Sequence, residues 1–138
     1  MKYSLIIPVY NRPDEVDELL QSLTEQRFKD FEVIVVEDGS AVPCKDVVEK
    51  YTACLDIHYY NKPNSGPGQT RNYGVERSQG IYVLILDSDC VLPPGYLEAI
   101  EAEPRFLRPE ASVAVRRKWI SSIPAALTWE CGRKFIGH

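Results

Sequence analysis

Long apolar runs are missing from this 138-residue sequence. None approaches the ~18 residues that a membrane span requires, so no spanning helix is expected. A basic, small-residue-terminated leader is missing too, because Met1-Lys2 passes directly into a short apolar stretch that stops at Pro8. The expectation is a cytoplasmic protein, peripheral at most to the cytoplasmic face of the membrane. Cysteine is sparse: the four at 44, 54, 90 and 131 have neither zinc-type pair spacing nor a secretory setting. That excludes a structural zinc cage and a disulfide framework and leaves reduced, partly buried thiols. Of two histidines, His58 sits inside a strand pattern as a core or edge residue, and His138 is the last residue. With no Gly-x-Ser-x-Gly and no cysteine–histidine arrangement, a nucleophilic hydrolase is not indicated. The net charge is −4, and no nucleic-acid partner is expected.

What is present is the composition of a folded domain, 44% apolar and 26% charged, with its ten prolines and eight glycines between patterned segments. A chain of this length forms about one domain and buries roughly two thirds of its unfolded surface. Charge is uneven along it. Residues 1–103 carry 18 acids and 9 bases, whereas residues 104–138 carry 2 acids and 7 bases. The expected organisation is therefore an α/β domain over 1–103 and a basic tail over 104–138.

Within the first part, apolar β-branched runs alternate with helical periodicity. Ser4–Val9, Phe31–Val36, Ile57–Tyr60 and Ile81–Leu86 predict four strands. Val16, Leu19, Leu20 and Leu23 recur at helical spacing after Pro13, with Asp14 and Glu15 in the first turn where the helix dipole favours acids. A weaker helix is predicted over residues 45–53, with Val47, Val48 and Tyr51 inward. Another is predicted from about Gln69 to Arg77, and one more after Pro94 with Tyr96, Leu97 and Ile100 inward. Alternation of this kind predicts a mostly parallel sheet with helices on both faces, a Rossmann-like nucleotide-binding half. In the tail, residues 111–115 suit one more strand, and beyond Arg116 no single period fits. There is no internal repeat.

Open parallel sheets bind ligands outside the carboxyl ends of their strands, where strand order reverses. Three strand ends here carry polar groups: Tyr10-Asn11-Arg12, Glu37-Asp38-Gly39-Ser40 and Asp87-Ser88-Asp89. Two carboxylates one residue apart repel each other unless a cation or water lies between them. Such hard oxygen donors suit Mn²⁺ or Mg²⁺, whose remaining ligands are waters and substrate phosphates. Gly66-Pro67-Gly68 is not a dinucleotide fingerprint, since it follows a loop and lacks the third glycine.

Taken in order, these motifs, with Thr70-Arg71-Asn72-Tyr73-Gly74 before the last strand, resemble the family 2 inverting glycosyltransferases of the GT-A fold over about residues 3–103. The resemblance implies a nucleotide-sugar donor, with UDP as the nucleotide, and a carbohydrate or lipid-linked acceptor. It implies nucleotide contacts from Pro8, Tyr10, Asn11, Asp38, Arg71, Asp87 and Ser88. Tyr10 would pack on the base, Asp38 would accept from the uracil ring, and Arg71 would lie over base and diphosphate. Asp89 would be the direct metal ligand, with Asp87 toward ribose or a metal-bound water.

The family's catalytic base lies well beyond Asp-x-Asp, and none of Glu98, Glu101, Glu103, Glu110 and Glu130 stands in a pair like that motif. No base is named. A truncated chain, an altered tail in place of the acceptor part, and a functional appendage all remain open for residues 104–138. Arg116-Arg117-Lys118-Trp119 and Trp129 are compatible with contact at an anionic membrane surface. Besides a transferase donor domain, two readings stand. One is an inactive module that only binds nucleotide or self-associates through an exposed sheet edge. The other is a nucleotidyltransferase, against which the chain offers no lysine-bearing glycine-rich loop after its first strand.

Overall fold

The computed structural model describes residues 3–102 in full and residues 118–120 as backbone. Nine elements follow one another among these residues: β1 (Tyr3–Val9), α1 (Pro13–Thr24), β2 (Phe31–Asp38), α2 (Lys45–Glu49), β3 (Ile57–Lys62), α3 (Pro67–Glu76), β4 (Tyr82–Ile85), α4 (Tyr96–Ala102) and β5 (Lys118–Ile120). They build one sheet in the order β3-β2-β1-β4-β5, and every pairing is parallel. The mostly parallel α/β sheet expected from the sequence is therefore present.

Strand alternation divides the apolar side chains between two layers. Leu5, Ile7, Val9, Val33, Val35 and Leu84 face α1 and α4 across one side, meeting Val16, Leu19, Leu20 and Leu23 and then Leu97 and Ile100. Ile6, Ile34, Val36 and Val83 face the other side, where Tyr73 and Val75 of α3 cover them. Burial on both faces is why β1 and β2 read as continuous apolar runs rather than as alternating ones. No helix among the described residues is long and apolar enough to cross a membrane.

Pro13 opens α1 at a position where a missing N–H is harmless, and Arg12 precedes it without a side-chain cap. Boundaries differ from expectation in places. The helix expected over 45–53 ends at Glu49 and continues as turns, although Tyr51 and Leu55 still reach the core. β3 runs on to Lys62, since it continues to pair with β2 as far as Asp38. β4 is shorter than the apolar run Ile81–Leu86, and Ile81 lies on the surface at 52% exposure. The strand expected at 111–115 lies outside the described residues. Residues 118–120, which showed no readable period, instead pair with Tyr82–Leu84 as β5. Cys44 and Cys90 are buried free thiols and Cys54 is an exposed one; Cys131 lies outside the described residues.

Gly74 brings α3 close against the sheet. A Cβ there would stand 2.6 Å from Ile6 Cγ2 and 3.3 Å from Val36 Cγ2, and both neighbours are fully buried. Gly74→Ala gains about 1 kcal/mol of helix propensity, but overpacking a core typically costs about 1–3 kcal/mol. Because Ile6 has nowhere to retreat, a net loss of about 1 kcal/mol is expected in urea unfolding.

Candidate functional site

The chain travels from β1 outward to β3, then returns through α3 to lay β4 on the other side of β1, so strand order reverses between β1 and β4. Outside the carboxyl ends of the strands at this reversal lies a cleft of about 670 Å³. Pro8, Tyr10 and Arg12 reach it from β1 and its turn, Asp38 from β2, Gly66, Pro67 and Thr70 from the start of α3, and Asp87, Ser88 and Asp89 from the end of β4. Tyr10 is 53% exposed at the rim.

Six of the residues singled out from sequence therefore converge: Pro8, Tyr10, Asp38, Asp87, Ser88 and Asp89. The other two do not line the cleft. Asn11 adopts a left-handed backbone, φ 55°, and its Oδ1 accepts from the Val42 N–H at 3.0 Å, so its side chain ties the turn after β1 to the loop after β2. Arg71 is exposed on α3 with its Nε donating to the Pro67 carbonyl at 3.2 Å. Conversely, Arg12, Glu15, Asn64, Gly66, Pro67 and Thr70 line the cleft without having been given a role from sequence, Arg12 and Thr70 having been named only within their motifs. The available signal for three of these, Asn64, Gly66 and Pro67, was the loop composition Asn64-Ser65-Gly66-Pro67 directly after a strand.

Asp38 is the most heavily bonded group in the cleft. Its Oδ1 accepts from Lys62 Nζ at 2.7 Å and from the Ser65 N–H at 2.8 Å. Oδ2 accepts from the Gly66 N–H at 3.1 Å and from Asn64 Nδ2 at 3.4 Å. Burial alone would raise its pKa, but bonds from Lys62, Ser65 and Thr70 outweigh burial and hold the carboxyl below the usual carboxylate range. The sequence marks Asp38 as a turn residue before glycine. Only the fold shows that it anchors the whole 62–66 loop.

Asp87 and Asp89, with the buried Cys90, bring one ligand atom each within 4.8 Å of one another. The Cys90 Sγ lies 4.0 Å from Asp89 Oδ1. A second group, Glu32, Asp56 and His58, lies at the opposite end of the sheet. There His58 Nε2 stands 3.2 Å from Asp56 and 3.5 Å from the buried Glu32, and Glu32 also accepts from Ser4 Oγ and the Gln79 N–H. His58 is thus an edge-strand residue that stands beside a buried carboxylate.

Charge in the cleft is one-sided. Its lining holds four acids, Glu15, Asp38, Asp87 and Asp89, against Arg12. Lys62 offsets Asp38 from behind, and Arg12 lies 3.7 Å from Glu15. Asp87 and Asp89 stand together in the turn after β4.

A sequence profile described as Glycosyl transferase family 2 matches residues 4–123, past the stretch 3–103 on which the motifs lie. An uncharacterized glycosyltransferase of Rickettsia bellii is 40% identical over 88 residues, which is 64% of this chain and 13% of the relative. The poly(ribitol-phosphate) beta-N-acetylglucosaminyltransferase TarS of Staphylococcus aureus is 40% identical over 93 residues, 64% of this chain and 16% of TarS. The chain thus spans a small part of the length of such relatives. The crystal structure of S. aureus TarS 1-349 in complex with UDP-GlcNAc superposes with a TM-score of 0.70 at 39% identity, over 74% of this chain and 30% of that one. The fold is also that of the mannosyltransferase PcManGT from Pyrobaculum calidifontis, in complex with GDP-Man and Mn²⁺, with a TM-score of 0.68 at 24% identity over 75% and 33%.

Proposed function

The chain belongs to glycosyl transferase family 2, and on that premise we propose that its cleft binds a nucleoside-diphosphate sugar, with UDP as the nucleotide, through Mn²⁺ or Mg²⁺. The observation that carries this reading is the convergence of three polar strand ends and the start of α3 on one acidic cleft. A nucleoside diphosphate is itself an anion, and it would be repelled by the neighbouring carboxylates of Asp87 and Asp89. A divalent cation removes that conflict. The donor set fits one, since two carboxylates one residue apart in the turn after β4, open to the cleft, are the hard oxygen ligands that Mn²⁺ and Mg²⁺ take while keeping positions for phosphate. Neutralisation of the diphosphate and its stabilisation as a leaving group are what such a cation supplies when bound.

The remaining roles fall to the chain's own side chains. Tyr10 offers an exposed ring to the base, and Pro8 forms the floor beneath it. Asp38 positions loop 62–66 along the base side; its longest bond, from Asn64 Nδ2 at 3.4 Å, is the one that a ring N–H of the base would displace. Ser88 and Asp87 face the ribose, while Asp89 holds the metal. The amino-terminal end of α3 turns a favourable dipole toward the phosphates. Arg71 would leave the Pro67 carbonyl and swing toward the diphosphate, and Asn11 contributes by shaping the Tyr10 turn.

In the full reaction, sugar would pass to a hydroxyl of a carbohydrate or lipid-linked acceptor with inversion at the anomeric carbon, assisted by a general base. That base is not assigned to Glu98 or Glu101. Glu98 pairs with Arg27, and Glu101 accepts from the Tyr3 hydroxyl at the end of β1 opposite the cleft. Glu103, Glu110 and Glu130 lie outside the described residues.

Calorimetric titration of UDP with and without Mn²⁺ tests the reading, with Asp89→Ala as the control. Tighter binding in Mn²⁺ that the variant loses is the expected result. Equal affinity in both conditions, or a variant indistinguishable from the parent, refutes the metal-bridged site. Binding without turnover on any UDP-sugar would leave a nucleotide-binding module rather than a transferase.

A further inference from the structure

Beneath the Tyr10 turn lies a fully buried carboxylate that the donor-site reading does not use. Glu37, at the end of β2 and paired in register with Val9, has no exposed surface. Its Oε1 accepts from Ser40 Oγ at 2.7 Å, and its Oε2 accepts from the Tyr59 hydroxyl at 2.8 Å and from the Cys44 N–H at 2.5 Å. Ser40 Oγ in turn accepts from the Asn11 N–H at 2.9 Å. Asn11 holds φ 55°, a left-handed conformation that asparagine tolerates better than other residues with a Cβ and that bonds across the turn can fix. Two bonds do so: the Asn11 N–H on Ser40, and the Val42 N–H on Asn11 Oδ1. The first leads straight to Glu37.

We propose that Glu37 is a positioning residue of the donor site, acting through Ser40 to lock the Tyr10–Asn11 turn and so to present Tyr10 to the nucleotide base. The inference rests on the donor-site reading above for what the turn presents, and on the bonding alone for what holds the turn.

The direction of the relay follows from donor and acceptor types. A serine hydroxyl has one proton. If that proton points to Glu37, both oxygen lone pairs face outward and one can take the Asn11 N–H. A buried acceptor is therefore what orients Ser40 as an acceptor toward Asn11. Its other neighbours leave Glu37 in that role, because both donate to it, the Tyr59 hydroxyl and the Cys44 backbone N–H. Burial first, and then the carboxylate beside it, pushes the Cys44 thiol up to about 12, and the same two causes raise the Tyr59 phenol. Tyr59 and Cys44 bond the other carboxylate oxygen and do not touch the turn, which separates holding Glu37 in place from holding Asn11 in place.

That separation gives the test. Ser40→Ala removes the relay and leaves Glu37 its two other partners, whereas Tyr59→Phe loosens Glu37 without touching the turn. Two readouts are taken on the purified chain: amide hydrogen exchange at Asn11 without nucleotide, and UDP affinity in Mn²⁺. Ser40→Ala is expected to speed exchange at Asn11 at least tenfold and to weaken UDP about five- to twentyfold, as loss of one pre-organising hydrogen bond does. Ser40→Thr, which keeps the hydroxyl, is expected to restore both. Tyr59→Phe is expected to lower the unfolding midpoint while leaving both within twofold. Unchanged exchange at Asn11 in Ser40→Ala overturns the relay, and so does a UDP loss in Tyr59→Phe equal to that in Ser40→Ala. If the parent chain binds no UDP, the donor-site reading fails by itself, and exchange at Asn11 still decides whether the relay holds the turn.

Discussion

Lys62→Met is expected to destabilise the chain by about 3–5 kcal/mol, the cost of leaving a buried charge without its partner. Both members of the pair are buried, and Lys62 Nζ donates to Asp38 Oδ1 at 2.7 Å, to the Pro63 carbonyl at 3.1 Å and to Ser65 Oγ. Methionine keeps the length of the stem and removes only the charge and the three bonds. The loss reaches beyond stability, since the same carboxylate anchors the Ser65 and Gly66 amides on the cleft wall. UDP affinity should fall along with the urea midpoint.

The difference between parent and variant should also depend on pH. Asp38 in the folded chain is held below its unfolded value of about 3.9, so its contribution is fully present above that value and is lost as pH falls through the folded pKa. The stability gap should therefore be widest near neutrality and narrow in acid, as Asp38 takes up a proton. A gap that stays constant down to about pH 3 would show that Lys62 acts through packing rather than charge.

Gly39→Ala is the second large effect, expected at about 2–4 kcal/mol from two independent sources. Gly39 has φ 71°, where a Cβ costs about 1–2 kcal/mol. The added Cβ would also stand 2.7 Å from the Asn64 backbone nitrogen and 3.1 Å from its Cα, and backbone cannot turn aside as a flexible side chain can. Such overpacking adds about 1–3 kcal/mol. The only relief is to push Asn64 away, which stretches its bonds to the Asp38 carbonyl and carboxylate. Urea unfolding measures the first effect and UDP titration the second. An unchanged midpoint would mean that the two loops are not in contact as described.

Both substitutions fall on residues whose importance local sequence hides. Lys62 lies beyond the strand expected at Ile57–Tyr60, in a stretch that reads as loop, yet it is buried because β3 extends as far as its pairing with Asp38. Glu37 reads as one more acid in Glu37-Asp38-Gly39-Ser40, yet it has no surface at all. Each has a partner more than twenty residues away, Asp38 for Lys62 and Tyr59 for Glu37, and no period or spacing reports it. Glu15 is similar: it reads as the start of a helix, and only the direction of α1 carries it to the cleft wall.

Strand and helix identity from β1 to α4 followed from the sequence by itself, because burial on two faces leaves continuous β-branched runs and burial on one leaves a helical period. The chemical character of three strand ends followed in the same way, as polar groups stand out where an apolar run stops. Tertiary structure alone decided the order β3-β2-β1-β4-β5, and with it the reversal that puts Tyr10 opposite Asp87 and Asp89. It decided as well that residues 118–120, too few to show a period, form the outer strand beside β4. The physical reason is that periodicity records which face of an element is buried, whereas pairing, ion-pair partners and cleft walls depend on what lies across the gap.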